Sequence, residues 1–132
     1  FVFVTKHIAG IENSSSFVKE HGAQHYIKRL VAVPGDHFEI KPPELWINGK
    51  PAEEFGTKRV GSAEGEYRGY VTSTMMRRFN EGTLAADEYL ACGDNSNNSL
   101  DSRWWGPVPQ RNLIGPALFC YLPLNRHWGP IR

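Results

Sequence analysis

Two segments of the 132-residue chain concentrate the side chains able to do chemistry. The first is Tyr26-Ile27-Lys28-Arg29-Leu30-Val31-Ala32-Val33-Pro34-Gly35-Asp36, which sets a lysine inside an apolar run. An ammonium in such surroundings costs free energy unless it is used or satisfied, and burial that disfavours the charge makes the amine a base. Strand alternation puts Lys28 on one face and Ile27 and Arg29 on the other. On that ground alone, a surface lysine on the wet face of a sheet is the plainer reading. The second segment runs Gly93-Asp94-Asn95-Ser96-Asn97-Asn98-Ser99-Leu100-Asp101-Ser102-Arg103-Trp104-Trp105-Gly106-Pro107-Val108-Pro109. A self-bonded, Asx-rich turn accounts for many of its polar groups. Bulky aromatics in the same loop argue for rigidity, and rigid polar loops on β scaffolds often carry function.

Other pairings are weaker. His21 and His25 have the spacing of a metal pair on a helix, but Gly22 and the following strand pattern oppose a helix, and no third ligand is suitably spaced. The run Asp94-Asn95-Ser96-Asn97-Asn98 starts like a calcium loop, yet Ser99 stands where Gly is needed and Trp105 where Glu is needed. Ser16-Phe17-Val18-Lys19 has S-x-x-K spacing without the companion motifs of penicillin-interacting enzymes. Cys92 and Cys120 form no C-x-x-C pair and each lies in an apolar stretch. They read as two buried free thiols, with a disulfide between neighbouring strands as the alternative.

The elements that must position these groups are short. Phe1 to Ile8 reads as a strand, Ala9 to Gly22 as a loop, and Gln24 to Val33 as the strongest strand. His37 to Ile40 and Glu44 to Ile47 are further strands, interrupted by Pro42-Pro43, and Asn48-Gly49 predicts a hairpin turn into Lys50-Pro51. Residues 52–86 are polar, glycine-punctuated and without a sustained apolar period, so they read as an elaboration outside the core. Order returns at Glu88 to Cys92, and Leu113 to Leu122 is the last strong strand, with Pro116 marking an edge or a start. No helix of ten residues or more is predicted. The fold class is mainly β, with residues 1–51 and 87–132 as the core and 52–86 as a cap-like insertion.

Composition narrows the classes. Hydrophobic residues at 40% and charged residues at 22% exclude a disordered, collagen-like or coiled-coil chain. Fifteen Lys and Arg against fourteen Asp and Glu give +1, which offers no electrostatic case for nucleic acid. No apolar run approaches the ~18 residues of a membrane helix. The chain starts at Phe1 within an apparent strand, which reads as a fragment with something N-terminal to it.

Taken together, the two segments resemble the bacterial type I signal peptidases, serine–lysine proteases that remove signal peptides from exported proteins. Tyr-Ile-Lys-Arg-x-Val-x-x-Pro-Gly-Asp stands at 26–36 and Gly-Asp-Asn-x-x-x-Ser-x-Asp-Ser-Arg at 93–103, followed by Trp105-Gly106-x-Val108-Pro109 and Asn112-Leu113-Ile114-Gly115. The resemblance covers the two ends of the chain and not its middle. It implies an antiparallel sheet or barrel core, Lys28 as the general base, and Ser99 as the hydroxyl that orients the amine. It further implies Arg29, Asp94, Asp101 and Arg103 as structural support, and Tyr26, Ile27 and Phe3 as lining for shallow pockets that admit small residues. The substrate is then an extended preprotein segment pairing with sheet edges near residues 24–28. No metal or cofactor is needed, and no nucleic acid is involved. The family's oxyanion donors lie mostly in a segment that the sequence lacks. The implied location is the bacterial cytoplasmic membrane, with the catalytic domain on its outer, periplasmic face. Trp104 and Trp128 suit contact with the lipid surface, whereas Trp105 reads as core.

One departure bears on activity. The family nucleophile is a serine in a Ser-Met-x-Pro segment upstream of the first strand, and the 132 residues contain none. The chain as given is therefore expected to be inactive. Two alternatives stay open: a non-catalytic peptide-binding β domain, and a self-cleaving serine–lysine protease of the repressor type.

Overall fold

A computed structural model describes residues 1–14, 16–70, 79–120 and 129–130. Every strand pairing among them is antiparallel. Strand β1 (Val2–Val4) lies between β2 (His25–Ile27) and β10 (Leu113–Gly115). Strand β3 (Arg29–Ala32) pairs with β8 (Glu88–Cys92), which pairs with β9 (Val108–Pro109). A third sheet has the order β6-β5-β4-β7, from β4 (His37–Lys41), β5 (Glu44–Ile47), β6 (Lys50–Pro51) and β7 (Glu81–Thr83). Strands β11 (Phe119–Cys120) and β12 (Gly129–Pro130) form a separate ladder.

Alternation explains the third sheet. Phe38 and Ile40 point inward on β4 opposite Ile47 and Leu45, and the hairpin to β6 turns at Asn48 and Gly49. Both turn residues have positive φ (51° and 79°), the conformation that an Asn-Gly pair accepts most readily.

The β3–β8 ladder lies between two apolar clusters. Leu90 and Cys92 of β8 face Phe38, Ile40, Leu45 and Ala32, while Ala91 between them faces Phe3, Ile11, Trp105 and Val108. Burying one such aliphatic side chain stabilises the fold by about 1.5–3 kcal/mol, and successive residues of β8 serve both clusters. A strand packed on two sides is a stiff base for the residues at its end.

Four expectations are corrected. The predicted loop over 9–22 holds helix α1 (Ala9–Ser14) and helix α2 (Ser16–His21). Gly10 reads as a helix breaker, but a Cβ there would lie 2.4 Å from the Trp105 carbonyl oxygen, so glycine lets α1 pack on that backbone. Ile8, Ile11 and Val18 then enter the second cluster. Next, the single strand predicted over 24–33 is two strands in different sheets, broken at Lys28. The strand predicted over 113–122 is interrupted after Gly115, where Pro116 has no N–H to extend a ladder, and resumes as β11 in a separate ladder, with residues 121–122 outside the described residues. Finally, residues 52–86 do reach the core: Val60 from helix α3 (Phe55–Gly61), Tyr70 and Leu84 pack in the first cluster.

Candidate active site

Lys28 stands at the joint between β2 and β3. Its backbone N–H donates to the Phe1 carbonyl at 3.0 Å, and its side chain emerges beside the polar loop that follows β8. That loop contains a 3₁₀ turn (Ser96–Asn98) and ends in the short helix α4 (Ser102–Trp105). Asp101 caps α4, accepting from the Arg103 backbone N–H at 3.2 Å. Asp101 and Arg103 are fully buried and doubly bonded: Nε donates to Oδ1 at 2.8 Å and Nη2 to Oδ2 at 2.7 Å. Asp101 Oδ2 also accepts from the Gly93 N–H at 2.9 Å, and Arg103 Nη2 donates to the Ser96 carbonyl at 2.8 Å. The buried pair thus ties both ends of the loop together. Charges taken out of water hold only with this degree of satisfaction.

Against that frame, Lys28 Nζ donates to Ser99 Oγ at 2.9 Å. Gly93 lies directly behind the contact, where a Cβ would meet Ser99 Oγ at 2.2 Å. Burial holds the Lys28 amine below the ordinary lysine range, with Asp101 opposing the shift and Arg103 reinforcing it. A lowered lysine whose neutral form carries a lone pair is a proton acceptor. Next to it, Arg29 makes a two-bond pair with Asp94, Nε to Oδ1 at 2.8 Å and Nη2 to Oδ2 at 2.9 Å. That pair joins the start of β3 to the same loop.

Two clefts meet at Lys28. One, of about 490 Å³, is lined by Tyr26, Ile27, Ser99, Leu100 and Trp104. The other, of about 460 Å³, is lined by Ile27, Arg29, Leu30, Gly93, Asp94 and Glu54. Ile27 borders both and is 64% exposed. Tyr26 is half-buried, with its ring 6.0 Å from Phe3 and 5.8 Å from Trp105.

The structure therefore brings Lys28, Ser99, Arg29, Asp94, Asp101 and Arg103 into one cluster, with Tyr26 and Ile27 at its mouth. Phe3 does not join them. The resemblance implies that it helps line a pocket, but it is 0% exposed in the core and bears on the site through its ring contact with Tyr26. Trp105 is core, as expected, Trp104 lines the first cleft, and Trp128 lies outside the described residues. Cys92 is free and buried, and burial pushes its thiol well above the usual range; the Cys120 side chain lies outside the described residues. Among the described residues, no group of His, Cys, Asp or Glu could hold a metal ion, and no helix is long and apolar enough to cross a membrane.

Three contributors escape the sequence reading. Ser102 Oγ accepts from the Ala91 N–H at 2.9 Å. Ser96, an unspecified place in the second motif, is buried and its hydroxyl donates to the Gly69 carbonyl. Glu54 lies 3.7 Å from Arg29 Nη1. A glutamate just before a helix start is a weak capping signal, and nothing in the spacing ties it to Arg29.

A family model described as signal peptidase, peptidase S26, matches residues 3–122. The chain belongs to this family. Among its relatives in the peptidase S26 family, signal peptidase I of Leptolyngbya laminosa is 35% identical over 101 residues, covering 76% of this chain and 43% of that protein. Signal peptidase I of Bacillus amyloliquefaciens is 31% identical over 127 residues, covering 95% and 66%. Signal peptidase I S of Bacillus subtilis is 30% identical over 130 residues, covering 95% and 67%. The chain thus spans from under half to about two thirds of these relatives. A crystal structure of a signal peptidase I from Enterococcus faecalis is similar in fold, with a TM-score of 0.56 at 23% identity over 84% of this chain and 87% of that one. The mainly β, antiparallel architecture is that of the family.

Proposed function

We propose that this chain supplies the base and the substrate clefts of a serine–lysine endopeptidase that removes signal peptides from exported preproteins. The observation that carries the reading is the 2.9 Å contact between Lys28 Nζ and Ser99 Oγ at the meeting point of two clefts. In this reading the neutral Lys28 amine takes the proton of a nucleophilic serine as its oxygen attacks the scissile carbonyl carbon. The resulting ammonium gives that proton to the leaving amine nitrogen as the peptide bond breaks. Lys28 then takes a proton from water as the water oxygen attacks the acyl ester carbon, and returns it to the serine oxygen as the ester bond breaks, which restores the serine hydroxyl and the neutral amine. Ser99 keeps the amine aligned, and Arg29, Asp94, Asp101 and Arg103 keep the loop in place. Tyr26 and Ile27 border the path of the extended substrate. Exposed Ile27 and Leu100 support a position against the outer face of the cytoplasmic membrane, where such a substrate is tethered. The nucleophile is expected from a Ser-Met-x-Pro segment, which these 132 residues do not contain.

The test compares two polypeptides on a synthetic signal-peptide substrate: the 132-residue chain, and the same chain preceded by a Ser-Met-x-Pro segment. Cleavage is expected from the second alone, and Lys28→Ala in it is expected to abolish turnover while thermal unfolding stays near that of the parent. Turnover that survives Lys28→Ala overturns the role of Lys28. Cleavage by the 132-residue chain overturns the placing of the nucleophile.

A further inference from the structure

We propose that Glu54, within the 52–86 segment, is a positioning residue for the Lys28–Ser99 pair, acting through Arg29 and Asp94. The proposal rests on the serine–lysine reading above. Glu54 caps α3: its Oε1 accepts from the Gly56 N–H at 3.1 Å, and its Oε2 accepts from the Thr57 N–H at 2.8 Å and the Thr57 hydroxyl at 2.9 Å. Oε1 also lies 3.7 Å from Arg29 Nη1, so the guanidinium is held between Glu54 on one side and Asp94 on the other. Gly56 closes a third side, since a Cβ there would sit 2.1 Å from Arg29 Cζ. Only a residue without a side chain lets the start of α3 lie this close. Asp94 follows Gly93, and Gly93 backs the Lys28–Ser99 contact.

The contacts therefore run without a gap from α3 through Arg29, Asp94 and Gly93 to the amine and hydroxyl. The same segment grips the loop again through the Ser96 hydroxyl on the Gly69 carbonyl and through the Tyr70 ring, 5.9 Å from Arg103 Cζ. An exposed ion pair is usually worth little because holding two long side chains costs entropy. Here three hydrogen bonds already fix the Glu54 carboxylate, so that cost falls on the helix cap and not on the pair.

The competing role is a helix cap alone, and two variants separate the two. Glu54→Ser keeps a capping oxygen but cannot reach Arg29. Gly56→Ala keeps the cap and the charge but displaces the guanidinium. The readout is the titration of the Lys28 amine, followed by NMR in the 132-residue chain, which requires no turnover. Lys28 is faced by Ser99 and by the charged or titratable Asp101, Cys92 and Arg103. Losing the Glu54 charge alone lowers the lysine titration point. Loosening the loop admits water and raises it, so the sign is diagnostic.

The expected result for folded Glu54→Ser is a rise of roughly half a pH unit or more, with thermal unfolding near that of the parent. Gly56→Ala gives the same direction and decides the matter if Glu54→Ser does not fold. An unchanged or lowered titration point in the deciding variant overturns the proposal. Failure of the serine–lysine reading appears separately, as turnover that survives Lys28→Ala.

Discussion

Lys28 and Ser99 are 71 residues apart in the chain and 2.9 Å apart between Nζ and Oγ. The lysine is placed by a joint between two sheets and the serine by a loop tied across its ends. Removing the hydroxyl leaves the amine without its partner. Ser99→Ala is expected to lower turnover of the nucleophile-bearing polypeptide by about 10- to 100-fold. Stability should change by about 1 kcal/mol or less in chemical denaturation. Unaltered kcat/KM would exclude an orienting role.

Gly93→Ala tests the same contact from behind. The added methyl would fall 2.2 Å from Ser99 Oγ and 2.7 Å from its Cβ, so the serine must move. Turnover is expected to fall at least as far as in Ser99→Ala. Parent-like rates in steady-state assays would show that the loop accommodates the methyl without disturbing Lys28.

Asp101→Ala is a stability experiment. Arg103 would be left charged, fully buried and without the carboxylate that accepts two hydrogen bonds from its guanidinium and one from its backbone N–H. The Gly93 N–H would also lose its acceptor. Such a change destabilises by about 3–5 kcal/mol, readable as a lower denaturation midpoint. A loss below 1 kcal/mol would mean that water satisfies Arg103.

The pH dependence follows from burial of Lys28. The base must be neutral, so kcat/KM of the nucleophile-bearing polypeptide should rise with pH through the lysine titration, with a midpoint below 10.5. Stability moves the same way. A lysine held below its unfolded value binds fewer protons when folded, so its penalty is full at low pH and fades as pH rises towards 10.5. In Lys28→Met, the limb of the stability profile due to this group should vanish.

Asn112→Ala should loosen β1. The Asn112 amide donates to the carbonyls of Val4 and Lys6 at 2.6 and 2.7 Å, clamping the strand exit from a buried position. About 1–3 kcal/mol should be lost, and hydrogen exchange at the β1 amides should quicken.

Legibility in the sequence followed the range of each signal. The Asn48-Gly49 hairpin is a local matter of backbone dihedrals, and the two motif segments name their residues directly. Both were readable for that reason. The helices at 9–21 were not, because Gly10 is a breaker in isolation and an asset only once Trp105 lies against it. Val60, Tyr70 and Leu84 enter the core from positions too far apart to show a period. The strand end at Lys28 was hidden because apolar residues continue on both sides of it. The resemblance makes Phe3 a pocket residue, and its complete burial appears only when β1 is sandwiched between its neighbours.

The seam at residue 28 has a consequence for how this chain tolerates change. The lysine's register is held from one side only: it exchanges backbone hydrogen bonds with Phe1, in step with the ladder that ends at Ile27, whereas the other ladder begins at Arg29. An extra residue inserted between Ile27 and Lys28 would take the two Phe1 hydrogen bonds from the lysine and swing the amine off its target, yet leave the paired residues of both ladders and both apolar clusters in place. Damage to the chemistry at this point would leave almost no trace in a melting curve or a circular dichroism spectrum.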